Sequence, residues 1–180
     1  MSTTVPTRVA PVVVCQRRWH DPDAVRLRAA LSSELRDRYA DRPTDPIHLP
    51  PDEAVASTSV AWTGVAYTPA ATPVGHAALR WHGDDLELKR MYVVPAYRGH
   101  GVAPALLTAA EDAGARLGAR RIVLQTGDRQ PDAVRRYERA GYHRVPVFPP
   151  YDVLPWSLCF ARTLTPPPAG TNRPGRTDPA

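Results

Sequence analysis

The stretch RGHGVA at residues 98–103 combines residue types that can hold an anion. It follows the strand-like run LELKRMYVV (86–94) and precedes an alanine- and leucine-rich stretch (104–117) typical of a helix. Glycine lets the backbone approach a ligand closely, and the first turn of a helix offers amide groups that lack partners. Arg98 adds a positive charge and His100 adds a ring N–H. The pattern therefore predicts a cradle for a pyrophosphate group.

Two other phosphate-binding loops do not fit this stretch. The chain has no GxxxxGK[ST] sequence of the Walker type. The dinucleotide fingerprint GxGxxG needs a different spacing and a strand–helix–strand unit that begins before it. A glycine-rich turn between a strand and a helix is weak evidence by itself, because a merely tight turn has the same composition. The neighbouring segments are needed to decide.

The longer stretch ELKRMYVVPAYRGHGVAPALL, followed by LQTG and QPDAVRRYERAGY, closely resembles the acetyl-CoA-dependent N-acetyltransferase (GNAT) superfamily. The cofactor loop of that family reads Gln/Arg-x-x-Gly-x-Gly/Ala, and Arg98, Gly101 and Ala103 fill this pattern. The likeness covers about residues 9–164, and its specific part lies in residues 86–142. Several motifs in the expected order and spacing are more specific than any one of them.

The resemblance implies where acetyl-CoA would bind. The fourth strand (86–94) and the fifth (121–126) would part to admit the pantetheine arm, and amides of residues 98–103 would hold the pyrophosphate. Backbone groups of residues 91–93 would pair with the pantetheine amides and polarise the thioester carbonyl. The cofactor-binding residues implied in this way are Met91, Tyr92, Val93, Arg98, Gly99, His100, Gly101, Val102, Ala103 and Gln130.

Acetyl transfer to an amine requires two proton transfers. An alkylammonium with a pKa of about 10.4 must lose a proton before it attacks, and the departing thiolate must gain one. Glu87 lies eleven positions before Arg98, where family members with a carboxylate base carry it. We therefore predict that Glu87, or a water molecule, acts as the base. An exposed strand carboxylate, or an ion pair with Lys89 or an arginine, fits the sequence equally well.

Tyr137 is the predicted general acid. It fills the tyrosine of the family pattern Ala-x-x-x-Tyr-x-x-x-Gly-Tyr/Phe, in which Ala133 lies one helical turn before it. A phenol with a pKa of about 10 can donate a proton to a sulfur leaving group. The alternative is a core tyrosine that packs under the fifth strand.

Two residues depart from the family pattern. Gln130 stands where the family commonly has asparagine, so a side-chain amide is kept but its reach differs. Pro104 occupies a position that is often basic, and proline offers a phosphate neither an N–H nor a charge. Coenzyme affinity is expected to fall unless Arg135, Arg136 or His100 compensates, although a solvated helix face also explains these arginines.

Cysteine and histidine usage argues against other chemistries. Cys15 and Cys159 lie in apolar runs without a neighbouring His/Asp arrangement, so we expect buried thiols and no acyl-enzyme. Two cysteines are also too few for a disulfide framework. The six histidines show no HxxxH or HExxH spacing, and we therefore expect no metal.

Hydrophobic periodicity predicts the elements that position these residues. Strands are expected at residues 8–16, 58–68, 73–82, 85–95, 121–126, 142–147 and 156–164. Helices are expected after the Asp21–Pro22 cap, at 104–117 with Gly118 as a stop, and at 131–140 before Gly141. Alternating strands and helices in the second half predict parallel pairing there, joined to an antiparallel front half. The pattern and the resemblance together imply an α+β (mixed α/β) fold, with a GNAT-like splayed mixed central β-sheet of about seven strands flanked by helices.

Composition favours a single domain without nucleic-acid or membrane partners. The 180 residues divide into a polar N-terminus (1–8), one domain (9–164) and a proline-rich tail (165–180), and both ends are predicted to be disordered. The net charge of +5 comes from arginines interleaved with acids, without the charge run of a nucleic-acid arm. The longest early apolar run (9–15) is too short for a membrane span, and it lacks the flanks and the cleavage site of a signal peptide. We therefore expect a cytoplasmic location.

The predicted function is transfer of acetyl from acetyl-CoA, as co-substrate, to a primary amine by direct attack. The acceptor is a small-molecule or peptide amine; within the family it can be a small amine, an amino acid, an aminoglycoside-type drug, or a protein lysine or N-terminus. Residues 40–57, Trp62, Trp81 and 146–156 are expected to select it, unless the tryptophans simply pack on the sheet. The alternative is a catalytically silent acyl-CoA sensor or interaction domain. Family members are often homodimers, and no residue here locates an interface.

Overall fold

The structure is a computed structural model that describes residues 11–42 and 59–165. The predictions for the two ends, and for most of the 40–57 segment, lie outside the described residues. In chain order the helices and strands are β1 (Val13–Gln16), α1 (Pro22–Arg38), β2 (Val60–Tyr67), β3 (Pro73–His82), β4 (Asp85–Val93), α2 (Val102–Arg116), β5 (Arg121–Gly127), α3 (Pro131–Arg139), β6 (His143–Val145) and β7 (Ser157–Thr163). Short 3-10 turns occur at Pro95–Tyr97 and Tyr151–Val153.

The described strands form one seven-stranded mixed sheet in the order β1-β2-β3-β4-β5-β7-β6, which confirms the expected α+β fold. Among them, β4 and β5 are parallel and every other neighbouring pair is antiparallel. The parallel pairing expected throughout the second half is therefore wrong beyond β5. The longer, mostly buried strand β7 lies between β5 and β6, while the short, exposed strand β6 takes the edge. This order buries the apolar strand and leaves the polar one in solvent.

Local capping signals determine where the helices begin and end. The Asp21 side chain accepts a hydrogen bond from the amide of Asp23 (2.9 Å) and caps α1, as predicted. Helix α2 begins at Val102, two residues earlier than expected, because Gly101 adopts a left-handed conformation (φ 84°) and serves as the cap. Pro104 consequently lies within the first turn, where its missing N–H removes no helical hydrogen bond.

Hydrophobic clusters cover both faces of the sheet. Helix α1 packs Ala24, Leu27 and Leu31 against Val65 and Tyr92. Helices α2 and α3 cover a larger cluster on the opposite face, which includes Leu79, Leu86, Leu88, Leu106, Ile122, Leu124, Tyr137 and Phe160. Helix α1, the longest of the described helices at 17 residues, is too short and polar to cross a membrane, and so are the others. One helical layer therefore packs on each face of the sheet.

Candidate active site

The sheet opens between its two parallel strands. Strands β4 and β5 pair only from Leu86–Leu88 to Ile122–Leu124, so the rest of β4 has no partner on this side. The parting of these strands that the resemblance implies is therefore present. It exposes the backbone of residues 89–93 to a cleft that extends between α1 and α3.

A bulge in β4 shapes one wall of this cleft. The pairing of β3 with β4 shifts by one residue between Ala78↔Lys89 and His76↔Tyr92, and Arg90 has a φ of 54°. The shift interrupts the strand alternation, so that Tyr92 rather than Met91 shares the Glu87 and Lys89 face. Sequence reasoning missed this bulge, because a left-handed arginine has no signature in the residue pattern.

His76 holds the bulge from within the protein. Its Nδ1 lies 2.8 Å from the carbonyl oxygen of Arg90, and its Nε2 lies 3.4 Å from Nη1 of Arg28. Because a guanidinium can only donate, we assign the ring proton to Nδ1, which donates to the Arg90 carbonyl. Burial lowers the pKa of His76 to about 4, so the ring is neutral at physiological pH. His76 was not among the predicted site residues.

The first cavity, called the loop cavity here, lies beside the glycine-rich turn and has a volume of about 180 Å³. Eight of the ten predicted cofactor-binding residues line it: Met91, Tyr92, Val93, Arg98, Gly99, Gly101, Ala103 and Gln130. The other two do not, since His100 is exposed and Val102 packs in the core. Pro104 and Arg136 also line this cavity, whereas Arg135 does not.

The glycine-rich turn is open on its outer side. Gly99 and Gly101 have φ values of 79° and 84°, and no atom lies within 4 Å of where a Cβ would stand on either. The Arg98 side chain is held back, because its Nε donates to the Val93 carbonyl (3.0 Å) and it pairs with Glu34. The free amides at the start of α2, together with the open glycines, form a surface that a pyrophosphate group fits.

The second cavity, called the tyrosine cavity here, has a volume of about 390 Å³ and lies on the β5 side of the cleft. Tyr39, Tyr137 and Tyr151 line it, together with Arg42, Lys89, Arg90, Trp156 and residues of β5. It shares five lining residues with the loop cavity, namely Leu31, Leu35, Met91, Gln130 and Tyr137. The two cavities therefore meet beside Met91 and Tyr137.

Tyr137 lies where the two cavities meet. Its ring packs near Tyr142 and Phe160, with centroids 5.9 and 6.3 Å apart, and only 8% of the residue is exposed. Burial raises the pKa of the Tyr137 phenol well above its usual value, so the proton stays on the oxygen at neutral pH. The residue is thus a core tyrosine and a cavity-lining phenol together, and its role as general acid stays a prediction.

Glu87 is fully buried and does not line either cavity. Its carboxylate accepts hydrogen bonds from Arg80 Nε (2.6 Å) and from the Tyr151 hydroxyl, and it lies 3.3 Å from Lys89 Nζ. The ion pair considered as an alternative is therefore formed, with Arg80 as well as Lys89. A base role for Glu87 stays a prediction, and it requires a group that connects the carboxylate to the cavity.

Tyr151 is the group that connects Glu87 to the tyrosine cavity. Lys89 Nζ lies 2.5 Å from the Tyr151 hydroxyl, and since an ammonium can only donate, the hydroxyl proton points to Glu87. Burial lowers the pKa of Lys89, although the Glu87 carboxylate opposes this effect. Sequence reasoning named segment 146–156 but not this residue, because 64 positions separate Tyr151 from its carboxylate partner.

The residues expected to select an acceptor are only partly brought together. Tyr151, Leu154 and Trp156 of segment 146–156 line the tyrosine cavity. Trp62 instead packs in the core, in line with the alternative that it packs on the sheet. Trp81 is 44% exposed and lies outside both cavities. No cluster of three or more metal-ligating side chains occurs within residues 11–42 and 59–165.

Comparison with known proteins shows which family this architecture matches. Residues 25–142 match the model of the family described as Acetyltransferase (GNAT) family. The acetyltransferase Atu2258 of Agrobacterium fabrum is 38% identical over 72 residues, which cover 40% of this chain and 48% of that protein. The IAA acetyltransferase of Azospirillum brasilense is 28% identical over 140 residues, which cover 78% of this chain and 90% of that protein. The first match thus spans about half of the relative's own length.

Solved structures share the same fold. A Klebsiella pneumoniae protein named as an acyl-CoA N-acyltransferase superposes with a TM-score of 0.70 at 26% identity, covering 86% of this chain and 98% of its own. A GNAT family acetyltransferase of Elizabethkingia anophelis was solved with acetyl-CoA bound and has a TM-score of 0.61 at 16% identity. The match covers 85% of this chain and 98% of that chain. The second similarity is one of fold alone.

Proposed function

The chain belongs to the acetyltransferase (GNAT) family, and from this premise we propose that it transfers acetyl from acetyl-CoA to a primary amine by direct attack. The observation that carries the proposal is the meeting of two cavities beside Met91 and Tyr137. The loop cavity suits a coenzyme A arm, and the tyrosine cavity suits an acceptor. The acetyl-CoA bound in the Elizabethkingia relative supports the same assignment.

The loop cavity supplies binding and polarisation. The amides of residues 98–103 hold the pyrophosphate, with the dipole of the 15-residue helix α2 behind them. Backbone groups of residues 91–93, which β5 leaves unpaired, hold the pantetheine amides and the thioester carbonyl. When a phosphate binds, the Arg98 guanidinium pairs with it, either instead of Glu34 or in addition to it. This contact compensates in part for the basic side chain that Pro104 lacks.

The tyrosine cavity supplies the proton acceptor. The acceptor ammonium gives a proton to the Tyr151 oxygen while Tyr151 passes its own proton to Glu87. The free amine then forms an N–C bond to the acetyl carbon as the C–S bond breaks, and the second proton that the new amide nitrogen releases replaces the one that Tyr137 gives to the sulfur. Tyr137 gives its proton to the departing sulfur, and its raised pKa keeps that proton in place until then. In this proposal the base acts on the amine and the acid acts on the sulfur.

Glu87→Gln and Tyr137→Phe test these roles. Each variant should lower kcat for amine acetylation, measured as released coenzyme A thiol, by at least about tenfold, while the KM for acetyl-CoA stays within a factor of about two. Glu111→Gln and Tyr142→Phe are matched controls, because both residues are buried or half-buried and line neither cavity.

Unchanged turnover in the two test variants would reassign both roles. Tight acetyl-CoA binding without turnover of any amine in the wild-type protein would instead favour the silent acyl-CoA sensor. Thermal shift with acetyl-CoA gives the binding readout, since a ligand at about a hundred times its Kd stabilises by about 2.7 kcal/mol.

A further inference from the structure

The charge of the tyrosine cavity restricts which amines it can accept. Among the described residues that line it, the charged ones are Arg42, Lys89 and Arg90, and none is an aspartate or a glutamate. Glu87 lies behind Tyr151 and does not reach the cavity. Carboxylates outside the cavity pair with Arg42 and Lys89, so the cavity wall itself presents cationic donors, which suit an anionic group better than a second ammonium.

Arg42 presents a guanidinium that is already oriented. Its Nη2 donates to both carboxylate oxygens of Asp128, at 2.9 and 2.7 Å, and Asp128 does not line the cavity. The guanidinium also lies over the rings of Tyr39 and Trp156, 5.2 and 4.7 Å from their centroids. These contacts fix the plane of the group, so little conformational freedom is lost when it binds a ligand.

The wall around Arg42 contains polar atoms that lack partners. Nη1 of Arg42 is buried without a hydrogen-bond partner, and so are the hydroxyl oxygens of Tyr39 and Thr126. All three residues line the tyrosine cavity. Buried polar groups are normally paired, so an unpaired set in one cavity wall indicates that a polar ligand group completes it.

We propose that the acceptor is an amine that also carries a carboxylate, such as an α-amino acid, with its carboxylate on Arg42. The inference rests on the proposed function and names its substrate class. The amine of such a molecule lies towards Tyr151 and the meeting point of the cavities, and its carboxylate accepts a hydrogen bond from Nη1 of Arg42, which has no other partner among the described residues. A polyamine or an aminoglycoside places a second ammonium among Arg42, Lys89 and Arg90, and none of the described residues that line this cavity is a carboxylate.

Matched pairs of acceptors test this assignment without any variant. The common L-amino acids are offered beside their α-carboxamides and beside 1,4-diaminobutane, with acetyl-CoA saturating and released thiol as the readout. We expect at least one amino acid to exceed its carboxamide at least about tenfold in kcat/KM, as a charge-assisted hydrogen bond implies. The carboxamides have the lower amine pKa and hence more free base, so this bias opposes the expected result.

Arg42→Gln should remove most of this preference. It should raise the KM for the amino acid about tenfold, and it should lower the kcat/KM for the amino acid far more than the kcat/KM for the carboxamide. Arg26→Gln is the matched control, because Arg26 also pairs with an aspartate but is exposed on α1, outside both cavities. Equal use of amino acids and carboxamides, or better use of the diamine, would overturn the inference and leave the proposed function standing.

Calorimetry distinguishes a failure of the substrate assignment from a failure of the proposed acetyl transfer. Amino acids and carboxamides are titrated into the wild-type protein saturated with coenzyme A. Carboxylate-dependent binding without turnover supports the assignment of the cavity and contradicts the proposed acetyl transfer. Binding of neither probe class, together with no turnover, overturns both.

Discussion

Replacing His76 with asparagine should reduce the loss of stability that acid causes. The ring is fully buried between α1 and β4, where Arg28, Arg90 and Trp19 surround it. Two of these neighbours are cations, and no carboxylate is recorded in contact with the ring within the described residues. Asparagine can still donate near the position of Nδ1 but cannot titrate.

The magnitude follows from the pKa. Burial lowers the pKa of His76 from 6.5 to about 4, so the unfolded chain binds a proton more readily than the folded protein does. The stability that the neutral His76 ring contributes is therefore fully present above 6.5, the pKa in the unfolded chain, and it is lost as the pH falls towards 4. At about 1.36 kcal/mol per pH unit, the full loss is roughly 3 kcal/mol, of which roughly 2 kcal/mol is lost by about pH 5.

Urea denaturation at about pH 7.5 and about pH 5 measures this loss. The wild-type protein should lose roughly 2 kcal/mol more free energy of unfolding between these conditions than His76→Asn. The control is His82→Asn, which removes a less buried histidine near Phe148 and should keep the wild-type response. An equal acid response in wild type and His76→Asn would refute the assignment of His76 as a buried neutral donor.

Two further substitutions address the loop cavity. Gly101→Ala places a Cβ in open space at a φ of 84°, so it should cost only about 1 kcal/mol of stability by urea denaturation, yet raise the KM for acetyl-CoA at least about tenfold. Gly118→Ala carries similar strain (φ 82°) at the other end of α2 and should leave that KM unchanged; similar KM effects in both would contradict a role for the loop. Glu34→Gln removes the carboxylate that pairs with Arg98 in the loop cavity, and should lower the Kd for coenzyme A up to about fivefold in titration calorimetry. A weaker affinity would show instead that Glu34 positions Arg98 for the ligand.

Local signals explain the elements that the sequence predicted well. Asp21 before Pro22 caps α1, and Gly118 ends α2, because both act through the backbone of their own turn. Strand β3 matches its predicted range of residues 73–82, since turn residues bound it on both sides. Such features need no information from distant parts of the chain.

Features that depend on distant contacts could not be predicted in the same way. The position of β7 between β5 and β6 depends on which strand buries more apolar surface, and periodicity does not encode neighbours. The bulge at Arg90 depends on a hydrogen bond from His76, 14 positions earlier on β3. In both cases the tertiary packing decides between conformations that the local sequence permits equally.

The resemblance named eight residues that line the loop cavity, but it did not indicate their surroundings. It placed Glu87 on β4 correctly, yet it could not indicate that Arg80, Lys89 and Tyr151 enclose the carboxylate. Arg42 was likewise named only as part of the 40–57 segment that was expected to select the acceptor. Its position opposite Asp128 results from a contact between residues 86 positions apart.

A crystal structure of the protein with coenzyme A tests the central claim most directly. We expect the diphosphate to lie against the backbone amides of residues 98–103, and the pantetheine arm to lie between β4 and β5 with its sulfur beside Met91 and Tyr137. Coenzyme A bound at another surface, or a loop cavity left empty at a saturating concentration, would contradict the account.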